Sequence, residues 1–297
     1  MDVHVPVLLA PVLEFLSIKP DGTYIDCTGG LGGHSAEILK RLSPSGQLYI
    51  CDYHAPTLQN LKKRFAEFAN VTVVSARFSQ VFEKCDFLFD GILADFGISS
   101  PQLVDASLGI GFDLDKVPLD MRIDDTLSES AADLLATRSA EELADIFFNF
   151  GGERMSRKIA AAIVYDRELG KVYDTTDGLR GLCERVLGKF YRGKKISPAT
   201  KVFQGLRIAV NKELEEIATF VKIAPTKLKS GGRLVTIAFH EGEDRLVKVA
   251  FKSLVQSPKA QTSEYFLPEK KSVAPDKEEI AANPRARSAK LRVLERV

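Results

Sequence analysis

The sequence predicts an α/β protein whose parallel, doubly wound sheet is interrupted by a helical insert. Three observations carry that reading. A strand-like run, Tyr24–Thr28, turns through GGLGG (Gly29–Gly33) into an amphipathic helix at Ser35–Leu42. Strand and helix patterns then alternate as far as Asp95. From about Val104 to Val210 the pattern is helical or loop-like, and strand character returns at Gly232–His240. The sheet domain therefore takes residues 1–104 and 211–297, and the insert residues 105–210.

In order, His4–Leu16 has the spacing of a short helix ahead of the first strand, and Gln47–Cys51 is the second strand, ending on Asp52. Pro56–Phe68 follows as a helix with Leu58, Leu61, Phe65 and Phe68 on one face. Val71–Val74 and Phe87–Ala94 are the next strands, the latter strongly apolar and ending at Asp95. In the insert, helices are expected at Ser128–Leu135, Ala140–Phe148, Arg154–Asp166, Thr176–Leu187 and Pro198–Ile217, with Ser128 and Ser139 as N-caps. Ser230-Gly231-Gly232 should end the preceding helix. A helix at Asp244–Leu254 and an antiparallel strand at Ser288–Leu294 complete the sheet domain, with Val255–Asn283 partly irregular.

Composition bounds the function. The 297 residues are 45% hydrophobic and 27% charged with a net charge of +1, which describes a globular protein of no marked overall polarity. Met1–Leu16 lacks the basic start of a signal peptide, and no apolar run reaches membrane-span length. Cys27, Cys51, Cys85 and Cys183 are scattered without metal-ligand spacing, so they read as buried structural thiols of a cytoplasmic protein and no metal is expected. Charge is uneven, however. Arg185–Lys212 holds eight Lys and Arg and no acid, with Phe190 and Tyr191 at its centre, and Arg285, Arg287, Lys290, Arg292 and Arg296 crowd the C-terminus. Basic residues mixed with aromatics suit the phosphates and unstacked bases of RNA, and equally an exposed solvated face.

A strand–glycine turn–helix presents bare backbone N–H groups to a nucleotide-like ligand, and Asp52, about 20 residues on, suits ribose hydroxyls. No GxxxxGK[ST] is present, which disfavours a nucleoside triphosphate. Ser35 stands where a dinucleotide fingerprint has its third glycine. A second strand-end acid, Asp95, favours an adenosyl ligand without phosphates.

Seven strings now carry a resemblance: HVPVLL near the start, DCTGGLGGHS, ISSPQL, PLDMR, PATKVFQGLRIAVNKEL, FHEGEDRLVK and NPRARSAKLRVLER. In this order the chain resembles the bacterial ribosomal RNA small subunit methyltransferase H family, also called MraW. The resemblance implies a Rossmann-like class I methyltransferase sheet with an inserted all-helical, RNA-recognising domain. It implies transfer of a methyl group from S-adenosylmethionine to N4 of a cytidine in the decoding region (P site) of 16S rRNA. The implied partner is 16S rRNA or the 30S subunit, with a homodimer as a candidate assembly and no membrane.

Carried over by position, the resemblance puts the cofactor on Gly32, Gly33, His34, Asp52, Phe78, Asp95 and Gln102. Asp52 would accept from the ribose, Phe78 would pack on adenine, and Asp95 is also a candidate catalytic proton acceptor. Each has a plainer alternative: His34 a helix-start hydrogen bonder, Phe78 core, Gln102 a cap beside Pro101, Asp95 a strand-end cap. The chain departs from the family at Pro11, at Tyr53-His54 and at Glu241-Gly242. Methylation at cytosine C5 would need a cysteine nucleophile beside the fourth strand, and none stands there.

Overall fold

The computed structural model describes residues 6–98, 102–103, 105–113, 115–124, 126–256 and 263–297. The chain divides into two compact units, Met1–Gly97 with Leu214–Val297, and Ile98–Glu213. Half of the string ISSPQL (residues 99–101) falls outside the described residues, as do the start of HVPVLL and residues 257–262.

The first unit is built on seven strands: β1 (Thr23–Asp26), β2 (Gln47–Asp52), β3 (Val71–Ser75), β4 (Phe89–Asp95), β5 (Leu228–Ala238), β6 (Tyr265–Phe266) and β7 (Lys290–Arg296). Their order is β3-β2-β1-β4-β5-β7-β6. β1 to β5 run parallel, and β7 is antiparallel to both β5 and β6. β4 is central, and its first six residues are buried without alternation because helices cover both faces. On one face Phe82, Phe89, Phe96 and Phe220 pack with Ile92 and Val247; on the other, Val12, Leu16, Tyr24, Ile38 and Leu93 pack with Val235 and Val293. All parallel strands point their carboxyl ends the same way, so Asp26, Asp52 and Asp95 close β1, β2 and β4 at one edge of the sheet.

Several expectations need correction. The return strand begins at Leu228, not Gly232: Ser230-Gly231-Gly232 lies within β5 at a register shift against β4, where Gly231 adopts φ 70°. The glycines accommodate a bulge rather than ending a helix. The stretch expected to be partly irregular has as its regular parts β6 and a helix at Lys277–Ala282, capped by Asp276. The helix after the glycine turn starts at Gly33 and ends at Leu39.

The second unit is helical: Ala131–Thr137, Ala140–Asp145, Ser156–Glu168, Thr176–Tyr191 and Thr200–Asn211. Ser139 and Glu142 form a capping box as the spacing predicts. At the helix before it the cap is Ser130, with Asp133, instead of Ser128. A π-helical turn at Ile146–Phe150 continues the Ala140 helix. The single helix expected over Pro198–Ile217 is two, Thr200–Asn211 and Glu213–Ile223, broken where Lys212 turns left-handed at φ 54°. The break is held by side chains. Buried Asn211 donates to the Met121 carbonyl (2.8 Å) and the Arg207 carbonyl (2.9 Å) and accepts from the Ile123 N–H (2.9 Å). Arg207 also grips Glu213 through two 2.8 Å bonds.

Asn211→Ala would leave three groups without these partners, so stability should fall by about 3 kcal/mol. Urea unfolding of the purified variant measures this directly, and a loss under about 1 kcal/mol would mean the amide does not hold the break.

Candidate functional site

The site grows from the end of β1. Asp26 is buried and accepts from Ser35 Oγ (2.6 Å) and the Thr28 N–H (3.2 Å). The serine that breaks the dinucleotide fingerprint thus ties the helix start to the strand end. Thr28 reaches the next strand, its Oγ1 accepting from the Asp95 N–H at 2.7 Å. The turn between them needs its glycines. Gly32 sits at φ 73°, and a Cβ there would lie 2.8 Å from the Phe65 ring; a Cβ on Gly33 would lie 2.5 Å from Pro6.

Asp52 is held by three backbone donors: its Oδ2 accepts from Gly30 (3.0 Å), and its Oδ1 from Tyr53 (2.8 Å) and His54 (2.9 Å). Burial nevertheless pushes its carboxyl above the usual range, because those donors offset desolvation only in part. The carboxyl is thus oriented in part by the glycine turn itself. Its neighbour Tyr53 carries the Arg77 guanidinium over its ring at 4.9 Å.

His34 and Asp95 meet at the strand ends. His34 is buried; its Nε2 lies 2.9 Å from the Val7 carbonyl, which can only accept, so that nitrogen carries the proton. Its Nδ1 lies 3.9 Å from Asp95 Oδ2. Asp95 Oδ1 is buried with no hydrogen-bond partner among the described residues, while the side chain as a whole keeps 24% of its surface. Desolvation, then the nearby Asp26 and Glu243 carboxylates, raise the Asp95 carboxyl well above the usual range.

Phe78 is half-buried in the aromatic cluster, its ring centroid 5.6 Å from both Phe96 and Phe220. That packing fits the core alternative and still leaves part of the ring exposed. Gln102 belongs to the second unit, where it is buried. The structure therefore gathers Gly32, Gly33, His34, Asp52 and Asp95 at one edge of the first unit.

Two residues there escaped the sequence reading. Asp26 was hidden in a strand run judged by its apolar members, although a carboxylate before a glycine turn is itself a signal. Glu243 is fully buried in a capping box with His240, its Oε2 accepting from the N–H groups of Phe239 (2.7 Å) and His240 (3.2 Å). The His240–Glu243 spacing announces that box, with histidine in the place of the usual hydroxyl.

The basic residues are largely committed within their own units. Arg185 pairs with Asp166, Lys201 donates to the Gly152 carbonyl, and Lys290 and Arg292 pair with Asp244. Tyr191 is buried with its hydroxyl donating to Glu153, so it is not a stacking platform. Phe190 is half-buried between Lys158 and Lys189, each ammonium 5.1 Å from its ring centroid. Arg192, Lys194 and Lys195 stand exposed in the turn that follows.

A cradle that a Cβ would fill and a buried carboxyl oxygen with no partner fit an adenosyl cofactor. The 3-2-1-4-5-7-6 sheet with its antiparallel β7 is the Rossmann-like class I methyltransferase fold, and S-adenosylmethionine is the methyl donor of such a site. The chain belongs to the MraW methylase family, whose model matches residues 1–297. It is 44% identical to ribosomal RNA small subunit methyltransferase H of Cyanothece, over 99% of this chain and 95% of that one. The enzyme of the same name from Neisseria meningitidis is 41% identical, over 99% and 92%. Among solved structures, an rRNA methylase from Streptococcus thermophilus aligns over 99% of both chains at 9% identity and a TM-score of 0.46.

Asp52→Ala should weaken S-adenosylmethionine binding roughly 10- to 100-fold, the loss expected for hydrogen bonds to a charged acceptor, as read by calorimetry. Asp95→Asn should do the opposite to cofactor-free stability. Asp95 keeps its proton in the folded chain at pH values where the unfolded chain has lost it. Its stabilising contribution is therefore complete below about pH 3.9 and is lost as pH rises through the folded-state value. The melting temperature of the variant should match the parent near pH 4 and exceed it toward neutrality. An unchanged or lower melting temperature at pH 7 would contradict the placement of Asp95.

Proposed function

We propose that this chain transfers a methyl group from S-adenosylmethionine to the exocyclic N4 of a cytidine in 16S rRNA, at position 1402 in the decoding region. Asp95 carries this reading: a strand-end carboxyl stands beside the glycine cradle with one oxygen free of partners. The N4 lone pair is delocalised into the ring, so the amine is a poor nucleophile. A carboxylate accepting an N4 hydrogen returns electron density to the nitrogen and then removes the proton. The cofactor supplies a methyl group on a positively charged sulfur, which leaves readily.

The cysteines support N4 over C5. Attack on the ring needs a thiolate, and burial raises the thiols of Cys27, Cys51, Cys85 and Cys183 alike. The residues that hold the cofactor are the N–H groups around Gly32, Gly33 and His34, with Asp52 on the ribose. Phe78 and Gln102 complete the set by resemblance.

The helical unit is read as the clamp for nucleotides flanking a splayed-out target base, in the assembled 30S subunit or free 16S rRNA. A homodimer remains part of this reading, as does action in the cytoplasm where ribosomes are made. No helix among the described residues is long and apolar enough to cross a membrane.

The deciding experiment is transfer of labelled methyl from S-adenosylmethionine to 30S particles lacking the modification, with nucleoside analysis of the product. N4-methylcytidine is expected; C5-methylcytidine, or no incorporation by protein that binds cofactor, would refute the reading. Replacing Lys194 and Lys195 by Glu should weaken RNA binding at least tenfold and flatten its salt dependence, with cofactor affinity unchanged. Unchanged RNA affinity would remove the turn from the clamp.

A further inference from the structure

Strand β4 carries two aspartates in contrasting settings. Asp90, at its start, accepts from Lys19 (3.2 Å), Lys229 (2.6 Å) and the Thr23 N–H (2.9 Å), and is held below the usual carboxylate range. Asp95, at its end, has no Lys or Arg against it among the described residues. The titratable groups facing it are Asp26 from β1, His34 from the first turn after the glycines, and Glu243 from the helix start after β5. Asp26 accepts from Ser35 and Thr28, and Glu243 accepts through Oε2 alone, from the N–H groups of Phe239 and His240. His34 spends its Nε2 proton on Val7 and turns Nδ1 toward Asp95. Asp244, one residue beyond Glu243, is neutralised by Arg292 and Lys290. Cations are thus supplied elsewhere in this sheet and withheld from Asp95.

We propose that Asp95 is a charge-gated base: the cofactor's sulfonium is the counter-cation its setting lacks, and its proton leaves and returns with that charge. The inference rests on the proposed function, in which Asp95 accepts the N4 proton. A unit positive charge ~4 Å from a carboxyl, at an effective dielectric of ~20, changes its proton affinity by roughly a thousandfold. Without the sulfonium Asp95 holds its proton to higher pH than a free carboxyl does, and it gives that proton up when the sulfonium enters.

The chemistry then balances. The N4 lone pair forms the bond to the methyl carbon while the carbon–sulfur bond breaks, its electron pair staying on sulfur. Positive charge passes from sulfur to N4, and N4 gives one hydrogen to the Asp95 carboxylate. A thioether, an N4-methylated base and a neutral Asp95 remain. Loss of the sulfonium is what restores the basicity of Asp95, so the base strengthens at the moment its proton becomes available.

The test is proton release on ligand binding, read by calorimetry of the full-length protein in phosphate and in Tris between pH 6 and pH 7. Three probes separate charge from methyl group: S-adenosylmethionine, neutral S-adenosylhomocysteine, and sinefungin, which carries an ammonium near the sulfonium position. About one proton should be released with S-adenosylmethionine and with sinefungin, and almost none with S-adenosylhomocysteine. Affinity for the two cations should rise by up to tenfold per pH unit in this window while that for the thioether stays flat. Asp95→Asn should abolish the release while cofactor still binds. Equal release with the charged and neutral ligands, or none with any of them, would overturn the gate and leave the proposed function standing. Failure of S-adenosylmethionine to bind would overturn both.

Discussion

Parallel strands impose a constraint from which the site follows. Five strands running one way bring their last residues to a single edge, and three of those strands end in Asp. Carboxylates so gathered repel one another and are costly to bury. The chain meets that cost with neutral donors: a serine hydroxyl and a backbone N–H for Asp26, three backbone N–H groups for Asp52, two for Glu243. Asp95 receives none at its Oδ1. A buried oxygen without a donor costs local stability, as active sites commonly allow.

The helical unit manages charge differently. Asp166, buried, draws Arg185, Lys171 and the Tyr173 hydroxyl onto itself, and Arg207 closes on Glu213. A run that looks uniformly basic along the chain is therefore partly neutralised in three dimensions by acids distant in sequence. Still exposed are the short turn with Arg192, Lys194 and Lys195, and beside it in sequence Lys189 and Lys212.

Much of the sheet was legible because its signals are local. A glycine turn after an apolar strand, β-branched runs of four to seven residues, and an acid closing three of the strands are properties of neighbouring residues. The misread elements depend on distant partners. Nothing near Lys212 announces the break after Asn211; the amide that holds it bonds to Met121 and Ile123, about ninety positions away in sequence. Gly231 resembled a helix stop, whereas the bulge between β4 and β5 explains it. Tyr191 sat among lysines in sequence and was read as a stacking residue, yet its hydroxyl belongs to buried Glu153.

By itself the sequence determined the α/β class, the class of ligand and the family, because glycine spacing, strand-end acids and ordered motifs are carried by residues close together. The tertiary structure alone decided which of those residues share an environment. It set Asp26 and Glu243 beside Asp95, turned the His34 ring so that Nδ1 faces it, and gave Asp90 the lysines that Asp95 lacks. The physical reason is that a carboxyl's protonation depends on burial and on charges within a few ångströms, and in this protein those charges come from strands and helices far apart in the chain.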